Sequence, residues 1–550
     1  MKAETIKVKI SGMTCDHCAR SIEKKFEGKP GILEKTVSYP QASGEFKFDS
    51  EQINKSEIIE IIKATGHYRV VDELPGEETS KGSNGQQHLI IIGGGSAAFA
   101  AAIRAVELDA WVTMINDGLP IGGTCVNVGC VPSKTLIRAA ETHYRANHPR
   151  FAGIETGGRV SDFAAIIGQK RELVGQLRQE KYLDVVAGLP GVQILNGRAR
   201  LTSATTVEVN GEVISGDKIL IATGAAPYIP PVPGLAESGF LTNETAFELE
   251  ELPESLIVLG GRYIALEIGQ MFARLGSKVT ILQRSPRILP TEAADLTNAL
   301  SGYLSEEGID IVTGVGLQSV RRRNGQVEVQ AVVKGEKQTF RAAQLVAATG
   351  RKPNTGDMGL EKVGVAVDEK GFLQVDETRQ SSVPGIYGAG DVVGEPMFVY
   401  TAAYEGKLAA ENALSGSAKS RDYTALPWVI FTDPQVAGVG PDELQARQMG
   451  IDSESTTLPL SYVPRSLAAR DTRGFIKLIR DRSNNKLIGA RILAPEGAEL
   501  LMEVALAIKF GITVDQISEM FHPYLTLSEG IKLAAITFSK DVKELSCCAT

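Results

Sequence analysis

Residues 88–98 read His-Leu-Ile-Ile-Ile-Gly-Gly-Gly-Ser-Ala-Ala, and residues 255–265 repeat the form as Ser-Leu-Ile-Val-Leu-Gly-Gly-Arg-Tyr-Ile-Ala. An unbroken Ile/Val/Leu run of this length is what a parallel strand buried on both faces requires. Each run leads into a glycine turn and then a helix-forming stretch, so the class is α/β with two dinucleotide-binding domains. In the first copy Gly93, Gly95 and Ala98 fit G-x-G-x-x-G/A. The first glycine allows the tight turn and the second lets the backbone approach a pyrophosphate. The small third residue permits close packing of a helix whose N-terminus favours the anion. The carboxylate expected about 20 residues further on, for a ribose hydroxyl, is replaced by Asn116, which can still accept a hydrogen bond. The second copy keeps Gly260 and Ala265 but places Arg262 at the middle glycine. Its following strand ends in Val279-Thr-Ile-Leu-Gln-Arg284 with no carboxylate. An arginine at that place can pair with a 2′-phosphate, so NADPH is expected over NADH.

Around this centre the chain divides by texture. Its 550 residues predict three to four domains at about 150 residues each. Residues 1–73 read as a βαββαβ unit, the ferredoxin-like plan. Residues 74–87, polar and Gly/Ser-rich, read as a flexible linker. Two Rossmann-like domains are expected over 88–252 with 350–421, and over 253–349. Residues 422–550 change texture again, with a long apolar helix candidate at Ala498–Lys509, and read as an α+β dimerisation domain. The net charge of −8 (58 basic against 66 acidic residues) argues against a nucleic-acid binder, which would show a basic face. No apolar run approaches the roughly 20 residues of a membrane span. The first residues lack the apolar core of a signal peptide. No stable membrane insertion and a cytoplasmic location are therefore expected.

Six cysteines fall into three close pairs, Cys15/Cys18, Cys125/Cys130 and Cys547/Cys548. Such pairs in a reducing compartment point to metal binding or thiol redox chemistry rather than to a disulfide framework. The segment Gly122-Gly-Thr-Cys-Val-Asn-Val-Gly-Cys-Val-Pro-Ser-Lys134 places two cysteines five positions apart at the start of a helix, where a low thiolate pKa is expected. It resembles the redox-active motif of the flavoprotein disulfide reductases. The resemblance covers roughly residues 88–540 and includes Ala222-Thr-Gly224, Ala348-Thr-Gly350 and Ile386-Tyr-Gly-Ala-Gly-Asp391. It implies FAD held through Gly93, Gly95, Ala98, Asn116, Gly123, Thr124, Lys134, Thr223, Gly224 and Asp391, the last on the ribityl chain. It implies NADPH held through Gly260, Ala265, Arg284 and Gly350. By the same resemblance Cys130 is the charge-transfer thiolate beside the flavin and Cys125 the thiol that meets substrate. Lys134 stands near flavin N5, paired with Glu267.

The same family carries a catalytic histidine in H-P-T-x-x-E. Counting back five from Glu529 lands here on Tyr524, and His522 is out of register. A tyrosine with a pKa near 10 is a poor base at neutral pH, so an acceptor other than a disulfide is implied. Gly12-Met-Thr-Cys-Asp-His-Cys18 resembles the heavy-metal-associated domains of metallochaperones and metal-pumping ATPases, where two thiolates grip a soft metal. Taken over its whole length, the chain resembles the mercuric reductase family. That resemblance implies NADPH + Hg(II) → NADP⁺ + H⁺ + Hg(0), with Hg(II) supplied by Hg(II)–thiol complexes or a mercury transporter. It implies a homodimer in which Cys15/Cys18 capture the metal and Cys547/Cys548 of one subunit pass it to Cys125/Cys130 of the other. The tail from Phe538 to Cys547 reaches up to about 33 Å when extended. Tyr524 and Tyr182 fall where the family has active-site tyrosines, although helical aromatics are usually core. The rival readings are a lipoamide- or glutathione-type disulfide reductase, a metal-binding protein without turnover, and a coenzyme A or NADH oxidase relative.

Overall fold

Strand Ala3–Ser11 sets the pattern of the N-terminal unit: Ile6, Val8 and Ile10 alternate into its interior and are all but fully buried. In the computed structural model, which describes residues 3–11, 13, 16–39, 42–64, 68–74 and 85–544, the chain divides into two units at residue 85. The first is a four-stranded antiparallel sheet in the order Ile32–Ser38, Ser43–Asp49, Ala3–Ser11, Arg69–Leu74. Helices Asp16–Lys25 and Lys55–Lys63 contribute Ile22, Ile58 and Ile62 to the same cluster as Phe46 and Phe48. Ile58 and Ile62 are four apart and so share one helix face. The second helix starts at a reciprocal cap. Asn54 Oδ1 accepts from Glu57 N at 3.0 Å, and Glu57 Oε2 accepts from Asn54 N at 2.9 Å.

In the second unit, strand His88–Ile92 is central in a five-stranded parallel sheet. Its order is Ile386–Gly388, Lys218–Ile221, His88–Ile92, Trp111–Asn116, Val192–Asn196. Alternate residues feed two separate cores. Leu89, Ile91, Val112 and Met114 face one, and Ile90, Ile92, Ile115 and Ile219 face the other. This is why the strand is apolar at every position rather than at every second one. The repeat at Ser255–Leu259 does the same, sending Leu256 and Val258 to one core and Ile257 and Leu259 to another. Its sheet, also parallel, runs Asp310–Thr313, Lys278–Gln283, Ser255–Leu259, Gln344–Ala347.

The C-terminal part is a five-stranded antiparallel sheet, Pro427–Ile430, Gln435–Val439, Leu487–Ala494, Phe475–Asp481, Ser453–Pro459. Helices Leu501–Lys509, Val514–Glu519 and Glu529–Ile536 follow. The apolar helix expected from residue 498 becomes regular only at Leu501. The chain turns through Glu496 at φ +53°, and a 3₁₀ turn over Gly497–Leu500 precedes the helix. Of the expected linker, residues 75–84 lie outside the described residues, while Gln87 already accepts a backbone bond from Trp111 in the second unit. Among the described residues, no helix is long and apolar enough to cross a membrane.

The antiparallel sheet is locked to the second parallel domain by a buried ion pair. Arg491 Nε donates to Glu292 Oε2 at 2.6 Å, and both side chains are almost fully enclosed. Arg491→Met strands a buried carboxylate and is expected to destabilise this unit by about 3–5 kcal/mol. The double variant with Glu292→Leu is expected to recover much of that loss. Thermal unfolding followed by circular dichroism compares the two, and a double variant no better than the single would show that the charge is not the cause.

Candidate functional site

The first turn is shaped for close backbone approach. Gly93 adopts φ +136°, and a Cβ there would lie 2.2 Å from the Ala222 carbonyl oxygen, so no other residue fits. Gly95 caps the Ser96–Glu107 helix and faces Gly123, whose own Cβ would come within 2.7 Å of Gly95 Cα. Ala98 is fully buried beneath. Asn116 donates Nδ2 to the Leu119 carbonyl at 3.0 Å, and its amide oxygen is the atom that a Cβ on Gly94 would strike. Opposite the turn, Gly224 sits at φ +68° beside open space, and Thr223 Oγ1 is tied to the Asn354 carbonyl at 2.8 Å. Asp391 follows strand Ile386–Gly388. Burial pushes its carboxyl up, countered by Arg351, whose Nε stands 3.5 Å away. That Nε is itself buried without a hydrogen-bond partner. A bare-backbone cradle, and a buried carboxylate beside a guanidinium whose Nε lacks a hydrogen-bond partner, fit a pyrophosphate with a polyhydroxyl chain, as FAD carries.

The second turn reuses the device. Gly260, at φ +123°, would place a Cβ 2.3 Å from the Ala348 carbonyl, just as Gly93 does against Ala222. Ala265 is fully buried and Gly350, at φ +137°, faces open space. Arg262 caps the Tyr263–Leu275 helix, and Arg284 is exposed at the end of strand Lys278–Gln283. This set fits a second dinucleotide, a pyridine nucleotide in this fold.

Between them lie the thiols. Thr124 and Cys125 sit in a short helix, Gly123–Asn127, and Cys130 opens the Cys130–Asn147 helix. Gly129 makes the junction possible, because a Cβ there would lie 2.9 Å from the Thr124 carbonyl oxygen and 3.3 Å from Cys125 Cα. Both cysteines are free thiols. A hydrogen bond from Cys125 lowers the Cys130 pKa to about 7, against the opposing effect of burial and with help from Lys134. The same bond, with burial, drives Cys125 up. One thiol is held as the proton carrier so that the other can be a thiolate.

Lys134 lies one turn beyond Cys130 on the same helix face. Its Nζ donates to Glu267 Oε2 at 2.7 Å and sits 4.6 Å above the Phe431 ring. Glu267 is buried, and its other oxygen accepts from Phe431 N at 2.9 Å. Three residues on, Gln270 Oε1 accepts from Asp433 N at 2.8 Å and Nε2 donates to the Asp433 carbonyl at 2.9 Å. One helix of the second dinucleotide domain thus grips residues 431–433 with two side chains.

Tyr182 falls in a π-turn, Gln179–Leu183, that widens an otherwise α-helical run, a feature frequent at functional sites. Its ring meets Phe99 edge-on at 4.9 Å and would lie 3.3 Å from a Cβ on Gly122. Burial raises its hydroxyl, a Ser96 hydrogen bond opposes, and Cys125 and Cys130 add to the rise. It is therefore packed between Phe99 and the Gly122 turn that leads into the thiol segment. Tyr524 is half-exposed on the antiparallel domain, in a stretch where Met520, Phe521 and Leu525 are exposed as well. His522 is held by Glu503, with Nε2 to Oε1 at 2.6 Å. Glu529 accepts from Leu525 N at 3.2 Å. Cys18 is half-buried near the start of the Asp16–Lys25 helix. Cys15, Cys547 and Cys548 lie outside the described residues.

Sequence reasoning missed Phe431, Gln270 and Tyr400. The last is pushed well above the usual phenol range by burial, with Tyr263 and Cys130 adding. Its hydroxyl donates to the Pro427 carbonyl at 2.5 Å. The i, i+3 spacing of Glu267 and Gln270 was the available signal for a paired grip. Alkylation of Cys130, mapped by peptide mass analysis, is expected to inflect near pH 7, since a lowered pKa keeps the thiolate down to that pH. Lys134→Met removes a stabilising cation and is expected to move the inflection upward; an unmoved inflection would show that Lys134 does not act on this thiol.

Comparison with known proteins adds the relationship. Residues 87–406 match pyridine nucleotide-disulphide oxidoreductase, residues 426–535 its dimerisation domain, and residues 7–67 the heavy-metal-associated domain. A mercuric reductase of Staphylococcus aureus is 41% identical, with all of both chains covered. That of Acidithiobacillus ferrooxidans is 42% identical over 98% of each chain. Among solved structures, the Cu(II) complex of the HOCl-induced flavoprotein disulfide reductase RclA from Escherichia coli aligns with a TM-score of 0.74 at 29% identity, covering 83% of this chain and 100% of that one. With two glycine-lined dinucleotide turns, a polarised thiol pair between them and likeness to these enzymes from end to end, the chain belongs to the mercuric reductase family of pyridine nucleotide-disulphide oxidoreductases.

Proposed function

We propose that the chain reduces thiol-bound Hg(II) to Hg(0) at the expense of NADPH, releasing NADP⁺ and one proton. The observation that carries this reading is the split Cys125/Cys130 pair beside Lys134–Glu267. It is a two-sulfur site for a soft ion, and in the C-terminal motif the position five before Glu529 is Tyr524, with His522 out of register. His522 is occupied by Glu503, and Glu529 is engaged by its own loop. Bound FAD would supply the acceptor for the hydride and the donor of the electron pair. Gly93, Gly95, Ala98, Asn116, Gly123, Thr124, Thr223, Gly224 and Asp391 would hold it, and Gly260, Ala265, Arg284 and Gly350 would hold NADPH.

In this reading Cys130 holds the negative charge that attracts the metal. Cys125 gives up its proton as Hg(II) replaces hydrogen on sulfur, and Lys134, fixed by Glu267, stabilises negative charge beside the flavin. Tyr182 and Tyr524 would border the metal through their hydroxyls. Cys15/Cys18 would capture Hg(II) from thiol complexes or a transporter, and Cys547/Cys548 would hand it to the partner subunit's thiols. Each exchange between two-thiol sites keeps the ion bound throughout. The functional division is a metal-capture domain over 1–74, whose last strand ends at Leu74, a linker from 75 to 85, FAD-binding over 86–252 and 350–421, NADPH-binding over 253–349 and dimerisation over 422–550. A homodimer in the cytoplasm suits a chain that needs NADPH and reduced thiols.

NADPH oxidation by the FAD-loaded protein is expected to depend on HgCl₂ in excess thiol, with volatile mercury leaving solution and little response to lipoamide or oxidised glutathione. Turnover of a disulfide with mercury acting only as an inhibitor would replace this reading with that of a disulfide reductase. Deleting residues 546–550 is expected to abolish Hg(II) turnover in excess thiol while leaving NADPH reduction of the flavin intact; full retained activity would remove the tail from the route. Arg284→Glu is expected to shift preference from NADPH toward NADH, and an unchanged ratio would make Arg284 a bystander.

A further inference from the structure

Of the three fingerprint positions, G-x-G-x-x-G/A, the two dinucleotide turns differ at one, the middle. Where the first has Gly95, the second has Arg262, in extended backbone (φ −106°, ψ −172°) that any residue adopts. Conformation therefore does not demand glycine there. What glycine gives is bare backbone for a pyrophosphate, and a side chain at that point gives some of this up. The Arg262 side chain instead reaches Glu395, with Nη1 to Oε1 at 3.2 Å, and both are largely exposed. Glu395 belongs to the segment joining the Asp391–Val393 turn to the Val399–Ser415 helix. Further along that segment, Phe398 stacks on Tyr263, the residue after Arg262, at 6.4 Å and 11°. A carboxylate from one dinucleotide domain thus lies on a guanidinium at the phosphate-binding end of the other. Gly260 N bonds to the Leu282 carbonyl on the neighbouring strand, which puts Arg284 alongside the same turn.

We infer that Arg262 is a ligand for the pyrophosphate of the pyridine nucleotide, and that Glu395 is an internal competitor which holds the guanidinium until the nucleotide displaces it. This rests on the reading that the second turn binds a pyridine nucleotide. An exposed carboxylate–guanidinium pair is weak, whereas a phosphate takes two charge-assisted bonds from the planar fork. The exchange therefore runs toward the nucleotide. Glu395, once released, stands as a like charge near the phosphates and lowers the net affinity. The arginine replaces lost backbone approach with charge, and the glutamate moderates it.

The test is equilibrium titration of the FAD-loaded, full-length protein with NADP⁺ and separately with NAD⁺, at low and high salt. Arg262→Gln is expected to weaken both nucleotides equally, by about tenfold, and to flatten the salt dependence. The pyrophosphate is common to both ligands, so their ratio stays as in wild type. Arg284→Glu, in contrast, changes that ratio. Glu395→Gln is expected to tighten both by about threefold. Unchanged dissociation constants in both variants would overturn the inference, as would an Arg262→Gln effect confined to NADP⁺, which would move the contact to the 2′-phosphate. Failure of the wild-type protein to bind either nucleotide would overturn the site reading itself, a result distinct from loss of the Arg262 contribution.

Discussion

Glu267 is the group on which the active region depends. Its carboxylate is buried, with one oxygen on Lys134 Nζ at 2.7 Å and the other on Phe431 N at 2.9 Å. A buried charge is tolerated only when paired and hydrogen-bonded on each side. Three segments more than 130 residues apart in sequence must therefore meet at one point. Loss of any partner leaves an uncompensated charge, so the thiol-bearing helix, the second dinucleotide helix and the antiparallel sheet take fixed positions together. Gln270 repeats the grip one turn along.

That fixed point governs the thiols. Cys125 and Cys130 share a single hydrogen bond, which can stabilise only one thiolate, and Lys134 biases the choice toward Cys130 while Glu267 pulls the other way. The outcome is a nucleophile poised near neutrality beside a thiol that retains its proton. In the proposed reaction a soft divalent ion would turn this asymmetry into symmetry, since binding would deprotonate both sulfurs.

The two dinucleotide turns show how one backbone solution accommodates different partners. Gly93 and Gly260 meet the carbonyls of Ala222 and Ala348 at the same virtual Cβ separation to within 0.1 Å (2.2 and 2.3 Å). The first glycine is thus under one steric constraint in both. The middle position is under none from the backbone, and there the copies part: bare backbone in the first, an arginine held by Glu395 in the second. Charge can substitute for proximity because phosphate recognition is mainly electrostatic.

The sequence by itself determined the α/β class, the ferredoxin-like unit, both dinucleotide turns and the Cys125/Cys130 pair. Each rests on local rules: apolar runs with nowhere but a doubly covered sheet to go, glycines where a Cβ cannot fit, and cysteines a fixed number of residues apart. Tyr182 was legible as a position, but residue pattern does not announce the π-turn in which it sits. Only the tertiary structure decided that Glu267 and Gln270 hold Phe431 and Asp433, that Tyr400 bonds to Pro427, and that Arg262 meets Glu395. It also decided that His522 is occupied by Glu503. These are contacts between side chains and backbone far apart along the chain, selected by burial and by the need to satisfy every enclosed polar group. Sequence spacing carries no record of such pairings, because nothing local distinguishes a glutamine that grips a distant loop from one that faces water.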